Sequence, residues 1–468
     1  MTAKNKTSRS TTDLAQEIAR HVANVQFADL PSYVVDITRK FILDTLGTAL
    51  AGSSAPGCQE VAQLFAEQGG SAQSTLWSSG ARVPAANAAL VNSMYAHALE
   101  FDDTHDATTV HANASVIPAA FATAELCAPV SGKHLIEAIA AGVDITCRLG
   151  LGLEEATGWT PAAVFGYFGA AAASARVRKF NAEQTHDAMG ICYSQAAGNR
   201  QCNVDRSKVK RMQLGFAARA GVQACDFVEV GITGARNIFE GSVGMAGLYF
   251  GEKFNRDLVL EDLGKRWLGA ELSIKPYPSA RPTHGCIDAA LALVEAHGLT
   301  PDDIDAVTVH VSFLVMRSGG APFNTQNISQ VDAQFSIAYT IAVAIARRGL
   351  FLEDFVEDNI RADAPVLALT QRVRVMQDQT PVGPGLTPVV VDIRTKDGRT
   401  LSKRTDVIRG NPDFPLDFAA VEEKFRRCAN FAARPLPVKQ LDAIVAAVQN
   451  LEQLEDVRSL VNVMSGSR

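Results

Sequence analysis

The sequence predicts a mostly α-helical protein with a large all-helical domain and a smaller α+β lid domain, and three observations carry that class. From residue 13 to about 275, apolar residues recur at helical spacing in one segment after another. Aromatic residues make up only 7% of the chain while Ala and Gly are plentiful, which suits closely packed helices. The texture then breaks at Lys275-Pro276-Tyr277-Pro278-Ser279-Ala280-Arg281-Pro282, where prolines come too often for a helix, and strand patterns follow. At 468 residues the chain exceeds what one simple core serves.

In chain order, residues 1–12 are polar, read as a disordered tail, and lack the apolar run of a secretory signal. Leu14, Ile18, His21 and Val22 mark a first helix, and Ile37, Phe41, Leu43, Thr45 and Leu46 a second that Gly52 closes. Further helices are expected at 84–100, 115–127, 134–148, 161–176, 183–197, 212–229 and 235–249. Small residues such as Ala170 to Ala173, or Ala217, Ala218, Ala220 and Gly221, let such helices approach closely. Beyond the proline loop the pattern gives a helix at 284–297, capped by Thr283 and closed by Gly298, a strand at 306–311, and a helix at 333–348. Alternating segments at 389–396 and 400–406 flank Asp397-Gly398, a hairpin signal. Helices at 416–430 and 436–453 end the chain. The expected division is a helical domain over 13–275, completed by 413–468, with the lid over 276–412 and a site in the cleft between them.

Composition narrows the partners. A net charge of −6 disfavours nucleic acid, which demands a surplus of Lys and Arg. No stretch approaches the roughly 18 apolar residues of a membrane span, so the expected location is the cytoplasm. The eight cysteines are scattered singly without a C-x-x-C pair and read as reduced core residues.

Three clusters could carry chemistry. In Glu100-Phe101-Asp102-Asp103-Thr104-His105-Asp106, four acids crowd the expected end of a helix, where the dipole disfavours negative charge. His111 follows, just before a helix with Pro118 in its first turn, placed to hold an anion or move a proton. The run Arg206-Ser207-Lys208-Val209-Lys210-Arg211 puts four cations at a helix start, which the dipole opposes unless an anion compensates. Lys275, Arg281 and His284 sit on the proline-stiffened loop, where Arg offers a bidentate fork to a carboxylate and Lys and His can exchange protons. The same residues also read as a solvated acidic loop and a solvated basic face.

Together these runs resemble the MmgE/PrpD family. The resemblance rests on Ile42-Leu43-Asp44-Thr45-Leu46-Gly47, Asn92 through His105, Lys210-Arg211-Met212-Gln213-Leu214-Gly215, Phe239-Glu240-Gly241, Ile274 through Ser279 with Thr283-His284, and Gln334 through Tyr339. It implies a cofactor-free site without metal between a helical domain and an α+β lid, a homodimer, and a small polycarboxylate substrate. The catalytic residues it implies are His111, Lys210, Lys275 and His284. Asp102, Thr104, Arg281 and Thr160 are the expected substrate contacts. This chain departs from the family with Glu100 for Asp, with Thr160 for a His, and with Ala280 for a site His of the decarboxylases. The expected reaction is a hydro-lyase, with epimerisation by proton abstraction and return as the close alternative, and decarboxylation third because of Ala280. All three move a proton at a carbon beside a carboxylate, where Lys and Arg stabilise the developing charge. Two other classes compete: a metal-dependent hydrolase or lyase using Asp102, Asp103, His105, Asp106 and His111, and a helical binding protein without activity.

Overall fold

The computed structural model describes residues 12–155, 158–377 and 385–465; the expected tail lies outside them except for Thr12. Helices dominate. The Pro161–Val177 helix is buried at every position, because an all-round apolar helix of small residues can only sit at the centre of a bundle. Gly132–Gly152, Ala112–Leu126, Gln213–Glu229 and Ala182–Tyr193 surround it. Gly169 faces the carbonyl of Gly142 so closely that an added Cβ would stand 2.7 Å from it.

A first core runs through these helices and takes in Val421, Phe425, Ile444 and Leu460 from the C-terminal helices. A second core gathers Ile287, Val307, Val309, Ile341, Val391 and Ile393. Its sheet has four strands in the order Val373–Gln377, Ile304–Val311, Val389–Thr395, Thr400–Thr405. The first pair is parallel and the others antiparallel. The inward residues of Val389–Thr395 alternate and pack on the Arg281–His297 helix.

Four expectations need correction. Residues 236–244 form turns, and only Met245–Phe250 is helical. Asn237 takes φ 50°, and Gly241 and Gly244 fold back on Asn237 and Phe239. The 333–348 segment divides into Gln330–Gln334 and Ile337–Arg347, because Ser336 caps a new helix start by accepting from the Tyr339 N–H. The Arg281–His297 helix begins earlier than expected, with Ala280 at its N-cap, while Thr283 donates its hydroxyl to the Ala280 carbonyl. Pro118 lies inside the Ala112–Leu126 helix rather than in its first turn.

Candidate active site

The segment after Ala85–Ala96 positions the site. That helix ends at His97, and Glu100 then adopts φ 55°, a left-handed conformation costly for a residue with a Cβ. This reverses the chain, and Thr104 pairs with Ser273 through N–H···O bonds of 3.0 and 2.7 Å in the two directions. The acidic run is thus tied to the junction between the two cores. Asp103 is not at a helix C-terminus but beside the start of Ala112–Leu126, accepting from Asn113 N–H at 3.3 Å, where the dipole favours it. From below, buried Lys424 pairs with Asp44 at 2.6 Å and donates to the Phe101 carbonyl at 2.8 Å.

Asp102 holds two histidines. Its Oδ2 lies 2.7 Å from His97 Nδ1 and 3.3 Å from His111 Nδ1, and His111 Nδ1 donates to the Asp103 carbonyl at 2.6 Å. Despite burial, the two imidazoles hold the Asp102 carboxyl well below the usual range, so it is ionised. Burial pushes His97 down to about 4, leaving it neutral with Nδ1 donating to Asp102. Burial and the neighbouring Asp102 charge raise Asp103 to about 7.

The five residues of the metal reading do not converge. Among the described residues only His97, Asp102 and His111 bring possible ligand atoms together. A 2.7 Å Nδ1···Oδ2 separation is a hydrogen bond, and His111 Nδ1 carries a proton engaged with a carbonyl. Asp106 is occupied by Arg281. This arrangement suits proton handling better than ion binding.

Glu100 sits between two lysines. Its carboxylate contacts Lys210, lies 3.9 Å from Lys275 Nζ, and its carbonyl accepts from that Nζ at 3.1 Å. Burial, then Lys275 and Arg211, push Lys210 down to about 7, and burial pushes Lys275 down to about 8. Gln334 crosses from the second core to donate to the carbonyls of Leu99 and Pro278 at 2.8 and 3.0 Å.

A cavity of about 430 Å³ opens over this point, within the size range of small-molecule sites. His97, Glu100 and Lys210 form part of its wall on the helical side, and Arg317, Asp332 and Gln334 on the other. Six Arg and Lys side chains line it against two carboxylates, so it favours anions.

Of the eight residues expected at the site, Lys210 lines the cavity directly. Lys275 stands behind it through Glu100, and Asp102 and His111 through His97, whose ring centroid is 5.2 Å from that of His111. Thr104 serves through its backbone bridge.

Three others have different surroundings from those expected. Arg281 has its fork filled by Asp106 at 2.8 and 3.0 Å and also donates to Ser273 Oγ and the Arg409 carbonyl. His284 is wholly buried, its Nε2 donating to the Ser279 carbonyl at 3.1 Å. Burial and Arg281 keep it well below the usual histidine range, hence neutral. Thr160 caps the Pro161–Val177 helix start and bonds Gly198 through its backbone. None of these three lines the cavity.

Glu100 and His97, absent from the expected set, form its wall, as does Lys208. The positional signal for Glu100 was present: it heads the acidic run. Nothing local to Arg317 or Asp332 points to the site, because the second domain brings them there.

Comparison with known proteins finds two family domains in order along the chain. A model of the MmgE/PrpD N-terminal domain matches residues 16–257, and one of the MmgE/PrpD C-terminal domain matches residues 277–452. Human cis-aconitate decarboxylase is 26% identical over 471 residues, covering 97% of this chain and 95% of that protein. Cis-aconitate decarboxylase of Aspergillus terreus is 24% identical over 487 residues, covering 99% and 98%. A cis-aconitate decarboxylase-like protein of Aspergillus oryzae is 25% identical over 479 residues, covering 97% and 98%. With both domain models matched in order along most of its length, the chain belongs to the MmgE/PrpD family.

Proposed function

We propose that the chain is a lyase acting beside a carboxylate of a small di- or tricarboxylic acid. The observation that carries this reading is the cation-rich cavity, with a lysine of lowered pKa and His97 on its inner wall, and Asp102 and His111 behind His97 in a His–Asp–His relay. In this reading a substrate carboxylate takes up Lys210, with Lys275 behind it, and the charge that builds as the neighbouring proton leaves is stabilised there. The relay handles the proton, Asp102 orienting both imidazoles. For dehydration, the C–H electrons form the new C=C bond, and the hydroxyl leaves with a proton from an acid. Lys210, near 7 and on the cavity wall, is the candidate for that acid.

Hydro-lyase chemistry remains the first reading, since Ala280 stands where the decarboxylases keep a site histidine. Decarboxylation is the second, favoured by the names of the similar proteins. Proton NMR in deuterium oxide over a panel of polycarboxylates separates them. An alkene formed with loss of water supports the first, and carbon dioxide release the second. Exchange without net change would indicate an epimerase, and no exchange or turnover with any member sinks the proposal.

Two copies are proposed to associate through the helical domain, where Val230, Ile232, Val243 and Leu248 are exposed. Light scattering at micromolar concentration should give about twice the 49.9 kDa chain mass; a monomer refutes the association.

A further inference from the structure

Three of the six cations on the cavity wall have partners. Lys210 contacts Glu100, Arg211 donates to the Pro56 carbonyl, and Arg206 meets Asp332 at 3.0 Å across the two domains. Arg200, Lys208 and Arg317 line the same space, and none of them has an ion-pair or side-chain hydrogen-bond partner among the described residues. They come from three places. Arg200 precedes Gln201–Val204, Lys208 opens the turn Lys208–Met212, and Arg317 arrives from the second domain on Phe313–Gly319. Like charges gathered round one cavity repel, and an anion between them removes that repulsion. The inner position is different in kind: there Glu100 already occupies the lysines.

We infer that Arg200, Lys208 and Arg317 form a second anion subsite, outer to the Glu100–Lys210–Lys275 position. It takes the distal carboxylate or phosphate of a substrate whose reacting carboxylate sits at Lys210. This rests on the reading above and deepens it by assigning the residues that meet the second anionic group, so that a monocarboxylate fills only half the site. Because Arg317 belongs to the other domain, the distal group also links the two walls of the cleft. Arg can meet either oxyanion with a two-pronged fork, and Lys adds a point charge.

Calorimetry on the full chain with propionate, glutarate and 3-phosphonopropionate tests this. An exposed ion pair is worth about 1.5- to 5-fold in affinity, so three together give roughly tenfold. The wild type should therefore prefer glutarate or 3-phosphonopropionate to propionate by about tenfold, and the tighter of the two identifies the distal group. In the Arg200→Gln/Lys208→Gln/Arg317→Gln variant that preference should collapse to within about threefold, and in Arg317→Gln alone it should fall part of the way. A preference that persists in both variants, whatever the absolute affinities, overturns the outer subsite. Equal wild-type affinity for all three acids overturns it too while leaving the lyase reading standing. A wild type that binds none of them removes both.

Discussion

Glu100 holds the inner site in its resting form: a left-handed backbone residue whose carboxylate meets Lys210 and faces Lys275. Strain of this kind persists where surrounding contacts over-determine it, and here Gln334 and Lys275 bond the carbonyls of Leu99 and Glu100. The contrast between neighbouring lysines follows from their partners. Lys210→Ala should lower kcat/KM by about tenfold or more, the usual cost of a charge-assisted contact. Lys208→Ala, on the exposed outer wall, should lose about 1.5- to 5-fold, chiefly in KM. Equal losses would show the basic run to be an undifferentiated charged surface. Lys210 also makes binding depend on protons. At pH 8 it lies above its value of about 7 and is mostly neutral, and a bound carboxylate favours the ammonium. Succinate binding at pH 8, followed calorimetrically in buffers of different ionisation heat, should therefore take up protons. At pH 6 the lysine is already charged and the uptake should fade. Absence of uptake at pH 8 would remove Lys210 from the anion's partners.

The helices owe their placement to small residues. Gly169 and Gly142 let Pro161–Val177 and Gly132–Gly152 approach to backbone contact. Gly169→Val should cost about 1–3 kcal/mol or more by overpacking, seen as a lower melting temperature with the helical circular dichroism retained. An unchanged melting temperature would mean that the crossing can relax. Periodicity located these helices well, because an apolar helix of this length has few other places to go. It missed Val373–Gln377, whose inward residues are only half-buried and which becomes a strand by pairing in parallel with Ile304–Val311. It overran at 235–249, where 236–244 fold into turns around Gly241 and Gly244 although apolar spacing continues, and only Met245–Phe250 is helical.

At the scale of the whole molecule the junction between the two cores is held by buried polar groups, with Arg281 bonded to Asp106 and His284 beside it. His284 makes the stability of the fold depend on pH. Its folded pKa lies well below the 6.5 of the free side chain, so below about pH 6.5 the unfolded chain holds the extra proton. Its contribution is complete above that pH and declines as the pH falls. The melting-temperature difference between wild type and His284→Asn should accordingly shrink from pH 7.5 to pH 5, since the variant has no imidazole to protonate. A difference that grows toward pH 5 would show that His284 is charged in the fold.

The sequence by itself determined the helical class, the family, and the runs that hold Asp102, His111, Lys210 and Lys275. These follow from period, proline placement and local motif, all of which are short-range. Only the tertiary structure decided which charges meet. The acids at 100–106 have no basic neighbour in sequence, yet they find Lys210, Lys275 and Arg281 from segments more than a hundred residues away. Arg281 and His284 carry the same residue types as a catalytic pair but are enclosed at the junction, whereas Lys208 and Arg317 open onto the cavity. The physical reason is that the pairing, exposure and pKa of a charge depend on what is packed within a few ångström of it, and chain-distant segments supply most of that surrounding.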